Sequence, residues 1–437
     1  MRQPLIDPSI CKQRRKLLAE RSAGAAVILP STPEFIRNND VHYDYRQDSS
    51  LFYLCGFEEP ESVLVFRAGQ TPETVLFVRP KDPVRETWDG FRFGPDLARD
   101  KFQVDECYLI TEIEKVLPDL VSSVDRVYYR LNRNNEFDSI LAKTLESVRS
   151  KMGRTGMGIK PILDPTDLIG ELRLIKSQAD IEWQKKACEL SADGHIAAMK
   201  ATKPGVNERQ IEAVIRHTFM MGGSPRMGYG PIVATGDGAT TLHYVFNDQT
   251  CRENELILVD AGTEWNYFTG DITRTFPVSG RFSDSQKVFY SAVLDVQNQI
   301  ISMIRPGLVF KNLQDTAIEL LTEACIELGL LKMGKDEAIA KLEYKKYYPH
   351  GVSHWLGMDV HDIGAYLLNG DSRPLIPGMI FTVEPGLYVP ASDTSAPAEF
   401  RGMGVRIEDD ILVTETGHLN MTARAPKSIP DIEATMN

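Results

Sequence analysis

Two carboxylates flank a short connection between apolar, strand-like runs in the second half of this chain of 437 residues. The run ELILVDAGTEW carries Asp260 near its end, and the run DITRTFPV begins with Asp271. A strand, a connection of about ten residues and a returning strand would bring both carboxylates to one end of a hairpin. Burying two carboxylates side by side is unfavourable unless a cation neutralises them. The pattern therefore predicts a hairpin that holds its acidic residues beside a cation.

The same arrangement recurs nearer the C-terminus. The run GMIFTVEPGLYV carries Glu384 in its middle, and the run GVRIEDDILVTE carries Glu408. A local arginine, for example Arg274 or Arg406, could neutralise a single such carboxylate in a buried salt bridge. For four carboxylates on two paired sets of strands, metal binding is the favoured interpretation. Oxygen-rich sites suit Mn²⁺, Mg²⁺ or Ca²⁺ and, with added nitrogen, Zn²⁺ or Co²⁺.

Three of the eight histidines fall in the segment HGVSHWLGMDVHD, as His350, His354 and His361. The first two have the spacing of a helical zinc-protease motif, but Gly351 stands where that motif needs its catalytic Glu. The nearby glycines also argue against a helix, so this interpretation is rejected. Each histidine could be structural, and at most one or two are expected to be ligands. His243, at the end of GPIVATGDGATTLHY, fits either a turn or the site.

One nitrogen ligand and four carboxylates are enough to hold two metal ions. Such a pair of ions lowers the pKa of a bound water and polarises a carbonyl group. The sequence therefore predicts a hydrolase that works without a covalent intermediate.

The length of the chain indicates two domains. Residues 1–173 alternate helical patterns with apolar runs such as GAAVILP, SVLVFRA, ETVLFVRP and RVYYRL, which predicts an α/β domain. Ser177 and Asp180 then form a capping-box-like start for a long helix, which places the second domain at residues 174–437.

Two segments of the second domain share a design. Each has a basic residue, Pro-Gly and an Asn cap, followed by an amphipathic helix and later by strands. The caps are Asn207, with Gln210 three residues on, and Asn312, with Asp315 three residues on. The echo suggests a duplicated α+β domain with pseudo-two-fold helix-and-sheet halves.

Charge and composition indicate which classes of binding partner and which compartment to expect. The net charge of −12 disfavours phosphate backbones and anionic membranes, so neither nucleic acid nor membrane is an expected partner. The N-terminus lacks the apolar core of a signal peptide, and no run approaches the ~20 apolar residues of a membrane span. Six scattered cysteines fit free thiols of a reducing compartment. We therefore expect a cytoplasmic protein.

The motifs DAGTEWNYFTGDITRTFPVSG, HGVSHWLGMDVHD, TVEPGLY and GVRIEDD, with their order and spacing, closely resemble a known family. They are those of the proline-specific metallopeptidases with the creatinase-like pita-bread fold, and within these of the aminopeptidase P group. The resemblance extends over essentially the whole chain and includes the N-terminal stretch VHYDYRQDSSLFYLCGFEEPESVLVF. It implies release of the N-terminal residue from peptides whose second residue is proline.

The resemblance also implies roles for the acidic and histidine residues. Two divalent ions, usually Mn²⁺ in bacterial members, would be held by five residues. Asp271 and Glu408 would bridge both ions, His354 and Glu384 would bind one, and Asp260 would bind the other. Glu384 would in addition carry a proton to the leaving proline nitrogen, which is general acid–base catalysis.

Further contacts follow from the same resemblance. His361 and His243 would contact the substrate and stabilise the intermediate, His350 would line the proline pocket, Arg406 would order the acidic site, and Tyr388 would line the cleft.

The family is often oligomeric, which implies a tetramer or dimer here. Trp88 stands where a relative places a tryptophan that completes another subunit's cleft, although the surrounding RETWDGFRFG is only a partial match. The nearest alternative is an Xaa-Pro dipeptidase (a prolidase), which would use the same ligands. A non-catalytic binding protein with this fold is a second alternative. The N-terminal domain argues against a methionine aminopeptidase.

Overall fold

A computed structural model describes residues 3–155 and 160–437 of the chain. Contacts between residues divide the chain into unit 1, Met1–Leu172, and unit 2, Arg173–Asn437. Within the described ranges, no helix combines the length and the apolar character needed to cross a lipid bilayer.

Unit 1 is built on a six-stranded sheet. The strands of the unit, six of them in this sheet, are β1 (Ala25–Pro30), β2 (Ile36–Asn38), β3 (Val41–His42), β4 (Val63–Arg67), β5 (Thr74–Val78), β6 (Glu106–Leu109), β7 (Arg126–Tyr128) and β8 (Ile162–Leu163). The order in the sheet is β6-β5-β4-β1-β7-β8, in which β4 runs antiparallel to β5 and β1 while the other pairs are parallel. Strands β2 and β3 form a separate ribbon.

Helices alternate with these strands along the chain, which confirms the predicted α/β character of the N-terminal part. They are α1 (Pro8–Arg21), α2 (Ser49–Cys55), α3 (Pro83–Asp89), α4 (Gly94–Phe102), α5 (Ile113–Ser122), α6 (Asn135–Met152) and α7 (Thr166–Leu174), which continues into unit 2. Strands β4 and β5 are buried at every residue. Burial on both faces explains why each reads as a continuous apolar run. Short 3₁₀ turns occur at Ile110–Glu112 and Gly153–Thr155.

Unit 2 contains the remaining helices. They are α8 (Gln178–Ala201), α9 (Glu208–Met221), α10 (Asp284–Met303), α11 (Lys311–Glu327), α12 (Lys335–Ala340) and α13 (Ile429–Met436). The predicted caps of the first two are confirmed, since Ser177 with Asp180 and Asn207 with Gln210 form reciprocal capping boxes. Further 3₁₀ turns lie at Gly236–Thr240, Glu343–Lys346 and Ala398–Phe400.

The prediction that Asn312 caps α11 is wrong. Helix α11 begins at Lys311, and Phe310 before it already has helical dihedral angles. The ring of Phe310 packs on Trp355 at 4.4 Å between centroids and on Phe381 at 5.7 Å. These ring contacts hold the partly buried Phe310 at the start of the helix, and Asn312 falls within its first turn.

The strands of unit 2 form small sheets and ribbons. They are β9 (Arg226–Met227), β10 (Ile232–Thr235), β11 (Leu256–Asp260), β12 (Thr263–Trp265), β13 (Phe268–Thr269), β14 (Thr273–Pro277), β15 (Leu367–Leu368), β16 (Asp371–Ser372), β17 (Ile380–Val383), β18 (Gly386–Val389), β19 (Met403–Arg406), β20 (Asp409–Val413) and β21 (His418–Asn420). The orders are β10-β11-β14, β13-β12-β9, β17-β20-β21, β18-β19 and β15-β16.

The acidic residues stand at the ends of these strands. Asp260 is the last residue of β11, whereas Asp271 lies two residues before β14 rather than at its start. The sequence predicts Glu384 in the middle of a strand, but Glu384 lies in the break between β17 and β18. Pro385 follows it and has no N–H for a ladder hydrogen bond. Glu408 lies in the matching break between β19 and β20.

Candidate metal centre

The first two carboxylates come from the hairpin of β11 and β14, which we call the aspartate hairpin. Its strands pair antiparallel, with Asp260 opposite Thr273. The connection between them includes β12 and β13 and returns the chain so that Ala261 N donates to Ile272 O at 3.0 Å. The two aspartates therefore stand at the same end of the hairpin, as predicted.

The second two carboxylates come from the paired strands β17–β20 and β18–β19, which we call the glutamate hairpin. Val383 lies opposite Asp409, and Gly386 lies opposite Arg406. Glu384 and Glu408 thus face each other at the point where the β17–β20 pairing ends and the β18–β19 pairing begins. Both are buried or nearly so, with Glu408 only 2% exposed.

His354 supplies nitrogen beside these carboxylates. Its Nε2 lies 3.4 Å from Asp271 Oδ2 and 3.5 Å from Glu384 Oε1. Its Nδ1 lies 3.1 Å from the main-chain oxygen of Trp355, which can only accept, so Nδ1 carries the proton. In the neutral ring, the Nε2 lone pair therefore points at the carboxylates, as a metal ligand requires.

The five predicted ligands meet in one cavity of about 510 Å³. One donor atom from each of Asp271, His354 and Glu408 lies within 4.8 Å of the others. The cavity is also lined by other predicted site residues: His243, His350, His361 and Arg406.

The electrostatics of the cavity call for cations. Burial, followed by the charges of Asp271 and Glu384, raises the pKa of Glu408 well above its ordinary value. Burial likewise raises the pKa of Glu384 to about 7. Burial alone would lower the pKa of His354, but Asp271 and Glu384 raise it to about 9. Carboxylates that repel one another and an imidazole aimed at them fit divalent cations bound by oxygen and nitrogen.

The arginine alternative applies to one carboxylate. Arg406 Nη2 donates to Asp260 Oδ2 at 2.6 Å, and its Nε donates to Thr273 Oγ1 at 3.1 Å. Thr273 Oγ1 in turn donates to Glu408 Oε2 at 2.6 Å. Arg274 instead pairs with Asp409 at 2.6 Å. Among the described residues that line the cavity, there are four carboxylates and one guanidinium. Arginine therefore cannot neutralise all four carboxylates, and bound cations are the better explanation of the cluster.

His350 and Tyr388 form one hydrogen-bonded wall. His350 Nδ1 lies 2.8 Å from Gly351 O, so this nitrogen carries the proton and Nε2 accepts from Tyr388 Oη at 2.8 Å. Arg406 Nη1 donates to the same phenolic oxygen at 3.1 Å. Burial lowers the pKa of His350 to about 4, and the ring is therefore neutral near pH 7.

The remaining predicted residues lie in different places. The ring of His361 packs edge-on against His354 at 4.4 Å, and His243 is exposed in a turn after the 3₁₀ segment Gly236–Thr240. Trp88 belongs to unit 1, where it sits near the end of α3 and is 82% exposed. It is the one predicted site residue outside unit 2.

Comparisons with known proteins place this geometry in a family. A model of metallopeptidase family M24 matches residues 182–415, and a model of the aminopeptidase P N-terminal domain matches residues 11–128. The chain belongs to metallopeptidase family M24. This M24 member is 38% identical over 427 residues to the Xaa-Pro aminopeptidase of Haemophilus influenzae. The alignment covers 98% of this chain and 96% of that relative.

Solved structures agree with the family assignment. The Pseudomonas aeruginosa aminopeptidase PepP is 41% identical, with a TM-score of 0.95 and 99% of both chains covered. A Zn-substituted Escherichia coli aminopeptidase P in complex with product is 38% identical, with a TM-score of 0.94 over 99% of this chain and 98% of that chain. The predicted identification with the aminopeptidase P group, and with it the prediction of a metallopeptidase, is confirmed.

Sequence reasoning missed Tyr229, which this M24 member places between two of the carboxylates. Its Oη lies 2.6 Å from Asp260 Oδ1 and 2.5 Å from Asp271 Oδ1. Burial and both aspartate charges raise its pKa well above the ordinary value, so the phenol keeps its proton. The signal that could have found it is strand register, because β10 follows Tyr229 and pairs Ile232 with Asp260.

Proposed function

We propose that this chain removes the N-terminal residue from peptides whose second residue is proline, and that two divalent ions, Mn²⁺ in the first instance, bind at the candidate metal centre. The observation that carries the proposal is the convergence of five ligand side chains in one cavity of about 510 Å³. The Haemophilus influenzae relative bears the name Xaa-Pro aminopeptidase, and its match extends over nearly the whole of both chains.

The donor positions support a division of the ligands between two ions. Asp271, His354 and Glu408 could hold one ion together, because one donor atom of each lies within 4.8 Å of the others. The resemblance to aminopeptidase P supports a second ion, which Asp271 and Glu408 would also help to hold. His354 and Glu384 would serve one ion and Asp260 the other. The bound ions would activate a water molecule and polarise the carbonyl of the bond to be cleaved.

Glu384 would act as the general acid and base. Its Oε1 lies 3.4 Å from Thr382 Oγ1 and 3.5 Å from His354 Nε2. The carboxylate thus lies beside the ligand cluster and also lines the cavity, where it would take a proton from water and give it to the proline nitrogen. That nitrogen leaves as an amine and needs the proton.

The histidines would bind the substrate around this centre. An Xaa-Pro bond has no N–H to donate, so recognition at this bond relies on the shape of the proline ring and on the carbonyl groups. His350, held by Tyr388 and Arg406, would line the proline pocket. His361 and His243 line the other part of the cavity and would stabilise negative charge on the carbonyl oxygen.

The wider organisation is part of the proposal. We assign residues 1–173 to an aminopeptidase P N-terminal domain and residues 174–437 to a catalytic pita-bread domain with pseudo-two-fold halves. The division into two halves is supported by two capped helices, α8 and α10, each of which is followed by a further helix and by antiparallel strands. The exposed Trp88 supports a homo-oligomer, a tetramer or dimer, in which it reaches another subunit's cleft. The location would be the cytoplasm.

A peptide series tests the activity. Xaa-Pro, Xaa-Pro-Xaa and longer peptides are incubated with chelator-treated enzyme, with and without added Mn²⁺, and the released residue is quantified. We expect Mn²⁺-dependent cleavage of the tripeptide and longer peptides. Cleavage confined to the dipeptide would instead assign the chain as a prolidase.

Paired aspartate variants test the site. Asp271→Asn removes one charge from the ligand cluster, and we expect it to abolish cleavage. Asp315→Asn changes an exposed aspartate on α11 and serves as the matched control, which should keep wild-type activity. Full activity of Asp271→Asn would refute the site.

A further inference from the structure

A buried amide stands directly behind the two glutamates. Gln297 lies on α10 with 0% exposure. Its Nε2 donates to Val383 O at 3.1 Å and to Ile407 O at 3.0 Å. Each of these carbonyl groups belongs to the residue just before a proposed ligand, Glu384 or Glu408. One side-chain amide thus joins the two chain segments that carry the glutamates.

The carbonyl group of Ile407 lacks a donor in the ladder of the glutamate hairpin. Ile407 N donates to Pro385 O at 3.3 Å, but Pro385 has no N–H to donate in return, so Ile407 O is left for Gln297. Val383 lies opposite Asp409 in the same ladder, and Gln297 adds a side-chain donor to its carbonyl group. Buried carbonyl groups without a donor are costly. An amide NH₂ has two hydrogens, and here each is directed at one carbonyl.

Lys427 determines which end of the amide faces the carbonyl groups. Its Nζ donates to Gln297 Oε1 at 2.8 Å and to Asp409 Oδ2 at 2.7 Å. An ammonium group has no acceptor, so it selects the amide oxygen and turns the NH₂ toward Val383 and Ile407. The orientation of Gln297 therefore follows from a charged partner.

We propose that Gln297, oriented by Lys427, is a positioning residue that sets the separation of Glu384 and Glu408 for metal binding. It acts through the main chain and touches neither carboxylate. The inference rests on the proposed role of both glutamates as metal ligands. A change at Gln297 should therefore alter the affinity for metal as well as the stability of the fold.

The test is the affinity of the full chain for Mn²⁺, measured from the EPR signal of free Mn²⁺ during titration. Gln297→Met keeps the length of the side chain and removes both donors. Outer-shell partners of metal ligands are worth about 10–100-fold in affinity, and we expect a loss in that range. Gln286→Met is the matched control, since Gln286 is equally buried on α10 and donates instead to Asn254 O at 2.8 Å. It should keep wild-type affinity.

Lys427 allows a second pair of variants. Its side chain is 22% exposed, so its replacement tests the orientation of the amide without changing a fully buried residue. Lys427→Met removes the charge that orients the amide and should weaken Mn²⁺ binding, whereas Lys427→Arg keeps a donor and should restore most of the affinity. Wild-type affinity in both Gln297→Met and Lys427→Met would overturn the inference. Absence of Mn²⁺ binding by the wild type would instead contradict the proposed function, and the inference with it.

Discussion

The two hairpins that supply the carboxylates are supported in different ways. The aspartate hairpin rests on a neutral side chain, His195 of α8, whose Nε2 donates to Ala261 O at 3.0 Å, directly after Asp260. The glutamate hairpin rests on charges, because Asp409, next to Glu408, accepts from Arg274 at 2.6 Å and from Lys427 at 2.7 Å.

The difference shows that support and neutralisation are separate tasks in this site. Burial alone would raise the pKa of Asp409, but the charges of Arg274 and Lys427 hold it well below its ordinary value. The adjacent Glu408 has its pKa shifted the opposite way, by burial and by the other carboxylates. In the glutamate hairpin, Arg274 and Lys427 thus lie one residue away from the proposed ligand and leave the charge of Glu408 for a cation to neutralise, whereas Arg406 pairs directly with Asp260 of the aspartate hairpin.

The largest effect should come from removing a ligand charge of the glutamate hairpin. Glu408→Gln should reduce turnover of an Xaa-Pro-Xaa peptide by about 10³-fold, since metal ions supply several kcal/mol of transition-state stabilisation. In the presence of chelator, the same variant should unfold at a higher temperature than the wild type, because one of the repelling charges is gone. Steady-state kinetics and thermal unfolding with and without chelator measure both changes.

The control for this prediction is Glu415→Gln, at the exposed end of the same segment, which should leave both measurements unchanged. A chelated Glu408→Gln protein no more stable than the wild type would show that the carboxylates do not repel one another as their pKa shifts indicate.

Breaking the charged support should produce the next largest effect. Arg274→Met leaves Asp409 buried with Lys427 and without its guanidinium, and removing one partner of a buried pair costs about 3–5 kcal/mol. We expect that decrease in the free energy of unfolding, measured in urea. Adding Asp409→Asn should recover part of it, because the unpaired charge is removed. Lys311→Met, which breaks the exposed pair with Asp315, should cost about 0–1 kcal/mol.

The elements of the fold that could be predicted are those encoded locally. Strands β1, β4 and β5 are buried along almost their whole length and read directly as apolar runs. The caps at Ser177 and Asn207 depend on residues three positions away. The start of α11 could not be found in this way, because Phe310 is held by rings that come from distant parts of the chain.

In the candidate site, too, the residues that could be predicted are those marked in their own segment, and the others depend on contacts with distant parts of the chain. Acidic residues inside apolar runs are conspicuous in a sequence, and the structure brings all five predicted ligands to one cavity. Tyr229, Gln297 and Thr273 carry no such mark, because a tyrosine, a glutamine or a threonine is ordinary in its segment. Their positions beside the carboxylates arise from the register of the strands and from helix packing.

The neutral support of the aspartate hairpin predicts a pH effect. Burial lowers the pKa of His195 from 6.5 to about 4 in the folded chain. Below pH 6.5 the unfolded chain binds a proton that the folded chain does not, so the free energy of unfolding falls until about pH 4. The contribution of His195 to the change in the free energy of unfolding between pH 7.5 and pH 4.5 should be a loss of about 2–3 kcal/mol. Urea unfolding in chelator measures it, and in His195→Gln the fall should be smaller by that amount.

His217→Gln is the matched control, since His217 is exposed on α9 and its replacement should leave the pH profile unchanged. Asp409 gives the contrasting case in the glutamate hairpin. Its lowered pKa means that its stabilisation is lost only as the pH falls below the ordinary value of 3.8. A wild-type profile for His195→Gln would remove the distinction between the two supports.

The smallest expected effect lies where the two hairpins meet. Thr273 belongs to the aspartate hairpin, but its Oγ1 donates to Glu408 Oε2 at 2.6 Å. Thr273→Val preserves the shape and removes this hydrogen bond together with the one that Thr273 Oγ1 accepts from Arg406 Nε, which should weaken Mn²⁺ binding by about tenfold, at the lower end for outer-shell contacts. Titration with detection of free Mn²⁺ measures the change.

Thr275 is the matched control position for Thr273. It lies two residues along the same strand and is equally buried, and its Oγ1 donates to the main-chain oxygen of Arg406 at 3.0 Å rather than to a carboxylate. Thr275→Val should therefore lower stability to a similar extent and leave Mn²⁺ affinity unchanged. If both variants weakened Mn²⁺ binding equally, the hydroxyl of Thr273 would act only through the fold, and the aspartate hairpin would have no direct part in holding Glu408.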